Sequence, residues 1–223
     1  MKVLVFGATG MVGFGVLREC LLAPDVEEVV AVGRRPSGQQ HPRLRDLVLS
    51  DMYDYTAAEP QLAGFDACFF CLGVSSLGMK EDAYRRVTYD LTLAAATVLA
   101  RLNPQMTFAY VTGSGTDSSE RGRSMWARVK GATENALLKL PFRAAYMFRP
   151  GAIQPLHGAN TKTPLYKAGI VLLTPVFGLA RRLWPHLVTT TENMGLAMLA
   201  VARHGAPKPL LDPVDINELA ARG

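Results

Sequence analysis

Short uninterrupted apolar runs punctuate the chain at residues 3–6, 29–32, 47–49, 67–72, 108–111 and 144–148. Most of the intervals between them place apolar residues at helical spacing instead, as Val12, Val16, Leu17, Leu21 and Leu22 do after the first run. A strand that is apolar on both faces is buried on both faces, as in a parallel sheet covered by helices; a half-solvated strand would alternate. Right-handed crossovers between such strands predict an α/β fold with a doubly wound parallel sheet. A long helix is expected over about 81–102, with Ala94, Ala95 and Ala96 permitting close packing. Composition shifts after Pro150. Further on, Thr189-Thr190-Thr191-Glu192 reads as a capping box opening a helix through Leu196, Leu199 and Val201. The expected organisation is a single domain over 1–223, with 151–223 forming a small helical cap on the substrate side.

The turn after the first run is Gly7-Ala8-Thr9-Gly10-Met11-Val12-Gly13. Strand, glycine turn and helix is the context of a Rossmann dinucleotide site, here in the spacing G-x-x-G-x-x-G. Gly7 permits the tight turn, Gly10 clears space for a pyrophosphate, and Gly13 lets the helix pack close to the sheet. The first helical turn, from Met11 and Val12, then offers N–H groups and a positive dipole end to phosphate, with Thr9 beside it. The second strand ends in Gly33-Arg34-Arg35, and no acid lies between Glu28 and Asp46. An NAD-preferring site usually carries Asp or Glu here; two guanidinium groups suit a 2′-phosphate. The expectation is NADP(H) rather than NAD(H), against the alternative of a solvated basic turn. Asp51, after the third run, either accepts from an adenine amino group or caps the following helix. Leu72-Gly73-Val74-Ser75-Ser76, after the fourth run, would line ribose and pyrophosphate with backbone groups.

With 223 residues, 49% hydrophobic and 19% charged, the chain can bury the core of one globular domain. The formal charge is +5, but the basic residues are scattered, so nucleic acid is not implied. Cys68 and Cys71 have C-x-x-C spacing inside an apolar run, which predicts buried thiols rather than a metal or redox pair. With Cys20 they make no disulfide framework. Residues 1–6 read as a strand, so no signal peptide is visible, and no apolar segment reaches the ~20 residues of a membrane-spanning helix. A cytoplasmic location is therefore expected. Residues 165–184 are unusually apolar and end in Arg181 and Arg182; they suit a substrate lid, a dimer surface or a membrane-surface patch.

The fifth run enters Thr112-Gly113-Ser114-Gly115, and a dozen residues later comes Trp126-Ala127-Arg128-Val129-Lys130-Gly131. With the glycine turn, these features resemble the short-chain dehydrogenase/reductase superfamily over about residues 1–155. The chain looks most like the atypical NAD(P)-binding, epimerase-like branch that includes Tat-interacting-protein-like reductases. That resemblance implies that Lys130 binds the nicotinamide ribose and that Ser114 or Thr112 hydrogen-bonds a substrate carbonyl. It also implies that the loop at Arg149-Pro150-Gly151 faces the nicotinamide. In the superfamily a tyrosine four residues before the lysine exchanges the proton. Here that position is Trp126, whose indole N–H donates a hydrogen bond but does not exchange near neutral pH. Two functions follow. One is an NADP-dependent oxidoreductase or epimerase-like enzyme acting on a small molecule, with Ser114, Lys130 and Trp126 at the catalytic position. The other is a non-catalytic NADP(H)-binding regulator. A monomer or homodimer is expected. His157, Tyr84 and Tyr89 read as packing or surface residues.

Overall fold

The apolar runs become the strands of one parallel sheet. The structure is a computed structural model that describes residues 1–159 and 187–222. The stretch 165–184, with its lid, dimer and membrane readings, lies outside the described residues. In chain order the strands are β1 (Lys2–Phe6), β2 (Glu28–Gly33), β3 (Leu44–Val48), β4 (Ala67–Phe70), β5 (Thr107–Val111), β6 (Ala144–Phe148), β7 (Ala152–Gln154), β8 (Val188–Thr190) and β9 (Leu210–Leu211). Seven of them pair in parallel in the order β3-β2-β1-β4-β5-β6-β9. The order reverses between β1 and β4, the switch point beside which such sheets bind ligands.

One run covers only part of its strand, and three short strands have no run. The 47–49 run marks only the end of β3, whose middle residues Arg45 and Asp46 are polar at the sheet edge. The seventh strand is two residues long, and β7 pairs with β8 in a separate two-stranded sheet; neither carries a run long enough to read.

Side chains alternate across the sheet and build a core on each face. Val3, Val5, Val29, Ala31, Phe69 and Phe148 pack against three helices, α1 (Met11–Leu22), α6 (Thr191–His204) and α7 (Pro213–Ala220). Leu4, Phe6, Val30, Phe70, Phe108 and Tyr110 form the other face, with the Phe6 and Phe70 rings stacked at 5.0 Å. That face is covered by α2 (Glu59–Leu62), α4 (Leu91–Leu102) and α5 (Met125–Leu137). The helix expected over 81–102 is continuous but not uniform. A π-turn at Arg86–Asp90 separates α3 (Glu81–Arg85) from α4.

The C-terminal helices close the core. α1 and α6 cross so tightly that a Cβ on Gly15 would lie 2.6 Å from the Thr191 carbonyl oxygen, and one on Gly195 would lie 2.7 Å from Glu19 Cγ. The helix start is one residue later than its sequence pattern suggests. Thr190 is the N-cap and accepts from Asn193 N–H at 2.9 Å, so Glu192 is not the capping-box acid. Its carboxylate instead meets His157 Nε2 at 2.6 Å.

Candidate functional site

Two adjoining clefts open over the switch point. The smaller, about 420 Å³, is lined by Gly7, Thr9, Gly33, Arg34, Arg35, Ser37 and neighbours. The larger, about 730 Å³, continues past Gly10, Met11, Val12, Leu72 and Gly73 to Ser114, Lys130 and Pro150. They share Gly7, Thr9, Arg34 and Leu72, so they form one elongated groove across the ends of five strands. Its charged lining among the described residues is Arg34, Arg35 and Lys130, with no carboxylate. That is the electrostatic character of a phosphate-bearing ligand's seat.

The glycine turn is shaped by contact distances. Gly7 adopts φ +82°, and a Cβ there would lie 2.9 Å from the Cys71 carbonyl and Leu72 nitrogen. A Cβ on Gly13 would lie 2.1 Å from the Gly7 carbonyl oxygen, so Gly13 admits the helix against the turn itself rather than against the sheet. Gly10 is the N-cap of α1 and brings no side-chain cap. The first N–H groups of that helix therefore remain available where Gly10, Met11 and Val12 line the groove. At the other side of the turn, Arg34 and Arg35 are exposed and make no ion pair or hydrogen bond among the described residues. A dinucleotide fits this set: glycines where its pyrophosphate would lie, cations at one end, and Lys130 at the other.

Asp51 does not join them. It lines neither cleft, and its carboxylate accepts from Tyr53 N–H at 2.8 Å, closing a local turn rather than a helix. The helix-capping reading of Asp51 is thereby replaced by a two-residue turn, a use Asp makes of its own backbone.

At the far end the two candidate hydroxyls separate. Thr112 is buried and its Oγ1 lies 2.6 Å from Thr116 Oγ1. Ser114 is exposed in the groove, fixed through its backbone N–H to the Pro150 carbonyl at 2.9 Å, and its hydroxyl has no partner among the described residues. Lys130 reaches over from α5 and donates from Nζ to the Thr112 carbonyl at 2.8 Å. Burial pushes its pKa down to about 8, with the Glu134 carboxylate opposing the shift. Trp126 stands one turn earlier but does not line the groove. Its ring lies 3.5 Å from where a Cβ on Gly115 would be, against the Ser114 loop. Ser75 and Ile153 line the groove from the loops that follow the fourth and sixth runs, while Ser37 carries little sequence signal. Cys68 is buried, and the Cys71 thiol, which lines the groove, is pushed up by burial. No cluster suited to a metal ion occurs among the described residues.

The model of the NAD dependent epimerase/dehydratase family matches residues 3–121, just over half the chain. Protein FMP52, mitochondrial, of Eremothecium gossypii is 29% identical over 155 residues, covering 69% of this chain and 66% of that one. Protein HTATIP2 of Rattus norvegicus is 28% identical over 155 residues, covering 68% and 62%. The chain thus spans slightly less than two thirds of these relatives. Among solved structures, the Bordetella bronchiseptica enzyme WbmF in complex with NAD+ and UDP superposes with a TM-score of 0.68 at 17% identity, over 99% of this chain and 76% of that one. That likeness concerns the fold. One relative's name places it in mitochondria, which leaves the cytoplasmic expectation unsupported; among the described residues, no helix is long and apolar enough to cross a membrane.

Proposed function

This chain belongs to the NAD dependent epimerase/dehydratase family, and from that premise we propose that it binds NADP(H) and catalyses a hydride transfer on a small carbonyl or hydroxyl compound. The observation that carries the cofactor preference is the pair Arg34 and Arg35. Both line the groove beside the glycine turn, both are unpaired among the described residues, and no carboxylate accompanies them. Guanidinium groups there would grip a 2′-phosphate, and an acid for the ribose 2′-hydroxyl is missing. The first turn of α1 would hold the pyrophosphate, and Lys130 the nicotinamide ribose. When bound, the cofactor supplies or takes up hydride at nicotinamide C4. Ser114, the hydroxyl available in the groove, would donate to the substrate oxygen.

Calorimetry tests the cofactor. NADPH should bind at least about tenfold more tightly than NADH, the worth of one charge-assisted contact. Arg34→Ala with Arg35→Ala should erase that difference; equal affinities in the unaltered protein would refute it.

Trp126 favours a second reading, binding without turnover, because no tyrosine stands at the usual proton-exchanging position. NADPH oxidation across a carbonyl panel separates the two. Turnover by the unaltered protein supports the enzyme. Turnover only after Trp126→Tyr supports a regulator that binds NADP(H).

A further inference from the structure

The fully buried Glu134 lies one helical turn after Lys130 on α5, at the spacing that normally pairs the two. The structure shows a different pairing. Arg149, at the end of β6, takes both carboxylate oxygens: Nε donates to Oε1 at 3.0 Å and Nη2 to Oε2. Arg149 is itself anchored, through Nη2 to Ser118 Oγ at 2.6 Å and through its backbone N–H to the Leu211 carbonyl at 2.8 Å. Lys130 is left to the Thr112 carbonyl, inside the groove. Among the described residues, the groups set against Glu134 are these two cations and the buried Tyr110 phenol of β5, kept protonated by burial.

A buried carboxylate left without a partner is strongly unfavourable and recruits any cation in reach. We propose that Arg149 is a positioning residue: by occupying Glu134 it keeps that buried charge from drawing Lys130 out of the groove. The effect on cofactor affinity rests on the assignment of Lys130 to the nicotinamide ribose; the effect on Lys130 itself does not. Without Arg149, the uncompensated Glu134 charge stabilises the Lys130 ammonium, and the lysine titrates at higher pH.

The test follows Lys130 by NMR of the apoprotein labelled at lysine Cε, assigned with Lys130→Arg, beside NADPH calorimetry at pH 7. Arg149→Met should raise the Lys130 midpoint by about one pH unit or more and weaken NADPH binding about tenfold. Arg149→Met with Glu134→Gln should return both towards the unaltered values, because no buried charge remains to compete. Arg149→Lys, which keeps a cation but loses the two-pronged grip, should move the midpoint less in the same direction. It supplies the comparison if Arg149→Met does not fold. An unmoved midpoint in the folded single variants would overturn the proposal, as would weakened NADPH binding with the midpoint unmoved, since a loss through loop structure alone would look like that. If the midpoints move as stated while the unaltered protein binds no NADPH, the positioning role stands and the cofactor reading falls.

Discussion

At the glycine-turn end of the groove the binding surface is mainly backbone: a positive-φ turn, the open N-terminus of α1, and a Gly13 that admits the helix to the Gly7 carbonyl. At the Lys130 end it is mainly side chain: one lysine and one serine hydroxyl, with the Trp126 indole against the adjoining turn at Gly115. The two ends therefore fail differently. Backbone shape is set by absent side chains, so any added atom disrupts it and takes local folding with it. Side-chain function is set by identity, so a residue such as Trp126 can replace a tyrosine with the fold unchanged.

Substitutions can break or sharpen that contrast. Gly13→Ala should have the largest effect. Its methyl group meets a backbone oxygen that has little room to retreat, and overpacking of this kind costs about 3 kcal/mol. Thermal denaturation should show the loss, and calorimetry should show no NADPH binding.

Lys130→Met should do the opposite to stability. Burial holds the lysine's pKa near 8, below its value of 10.5 in water, so its folded state disfavours the charge. Removing that charge should stabilise the fold at pH 7 by about 2 kcal/mol, allowing for the groove's solvent, while weakening NADPH binding about tenfold. A variant that lost both stability and affinity would place Lys130 in the backbone-like category.

The same group gives a pH signature of opposite signs. Between pH 8 and 10.5 the unfolded chain binds more protons at this site than the folded one, so its contribution to stability rises with pH. Over the same rise through about 8 the ammonium is lost, and NADPH affinity should fall by about tenfold in all, the loss expected of Lys130→Met. Neither trend should survive in Lys130→Met. Smallest of all is Asp51→Asn. The turn at Tyr53 retains an acceptor, and calorimetry should find NADPH affinity unchanged within about twofold.

These differences also explain what was legible in the sequence. Six strands could be read because burial on both faces demands continuous apolar runs, and the glycine turn could be read because only glycine tolerates its geometry. β9 could not, since two residues carry no period, and neither could the offset at Thr190, where three consecutive threonines offer equivalent caps. The turn at Asp51 could not be read because a carboxylate after a strand can cap a helix or close its own turn, and only the direction of the loop decides. The Arg149–Glu134 pair could not be read because i, i+4 spacing sets Glu134 beside Lys130, and the competing cation stands just past β6, fifteen residues away.

The crossing of α1 with α6 bears on the order of events during synthesis. The helix whose first turn lines the groove rests at Gly15 on Thr191, and an ion pair ties Asp25, just beyond its end, to Arg203, 178 residues later. Contacts of that separation form late, because the closure entropy must be met before they contribute. A nascent chain that has emerged only through Pro150 already carries every glycine and arginine of the motif, yet its first helix has the sheet on one side and lacks the C-terminal helices that cover the other. Competence to hold a cofactor thus arrives with the last third of the polypeptide, and dinucleotide present in the cell would favour finished molecules over those still leaving the ribosome.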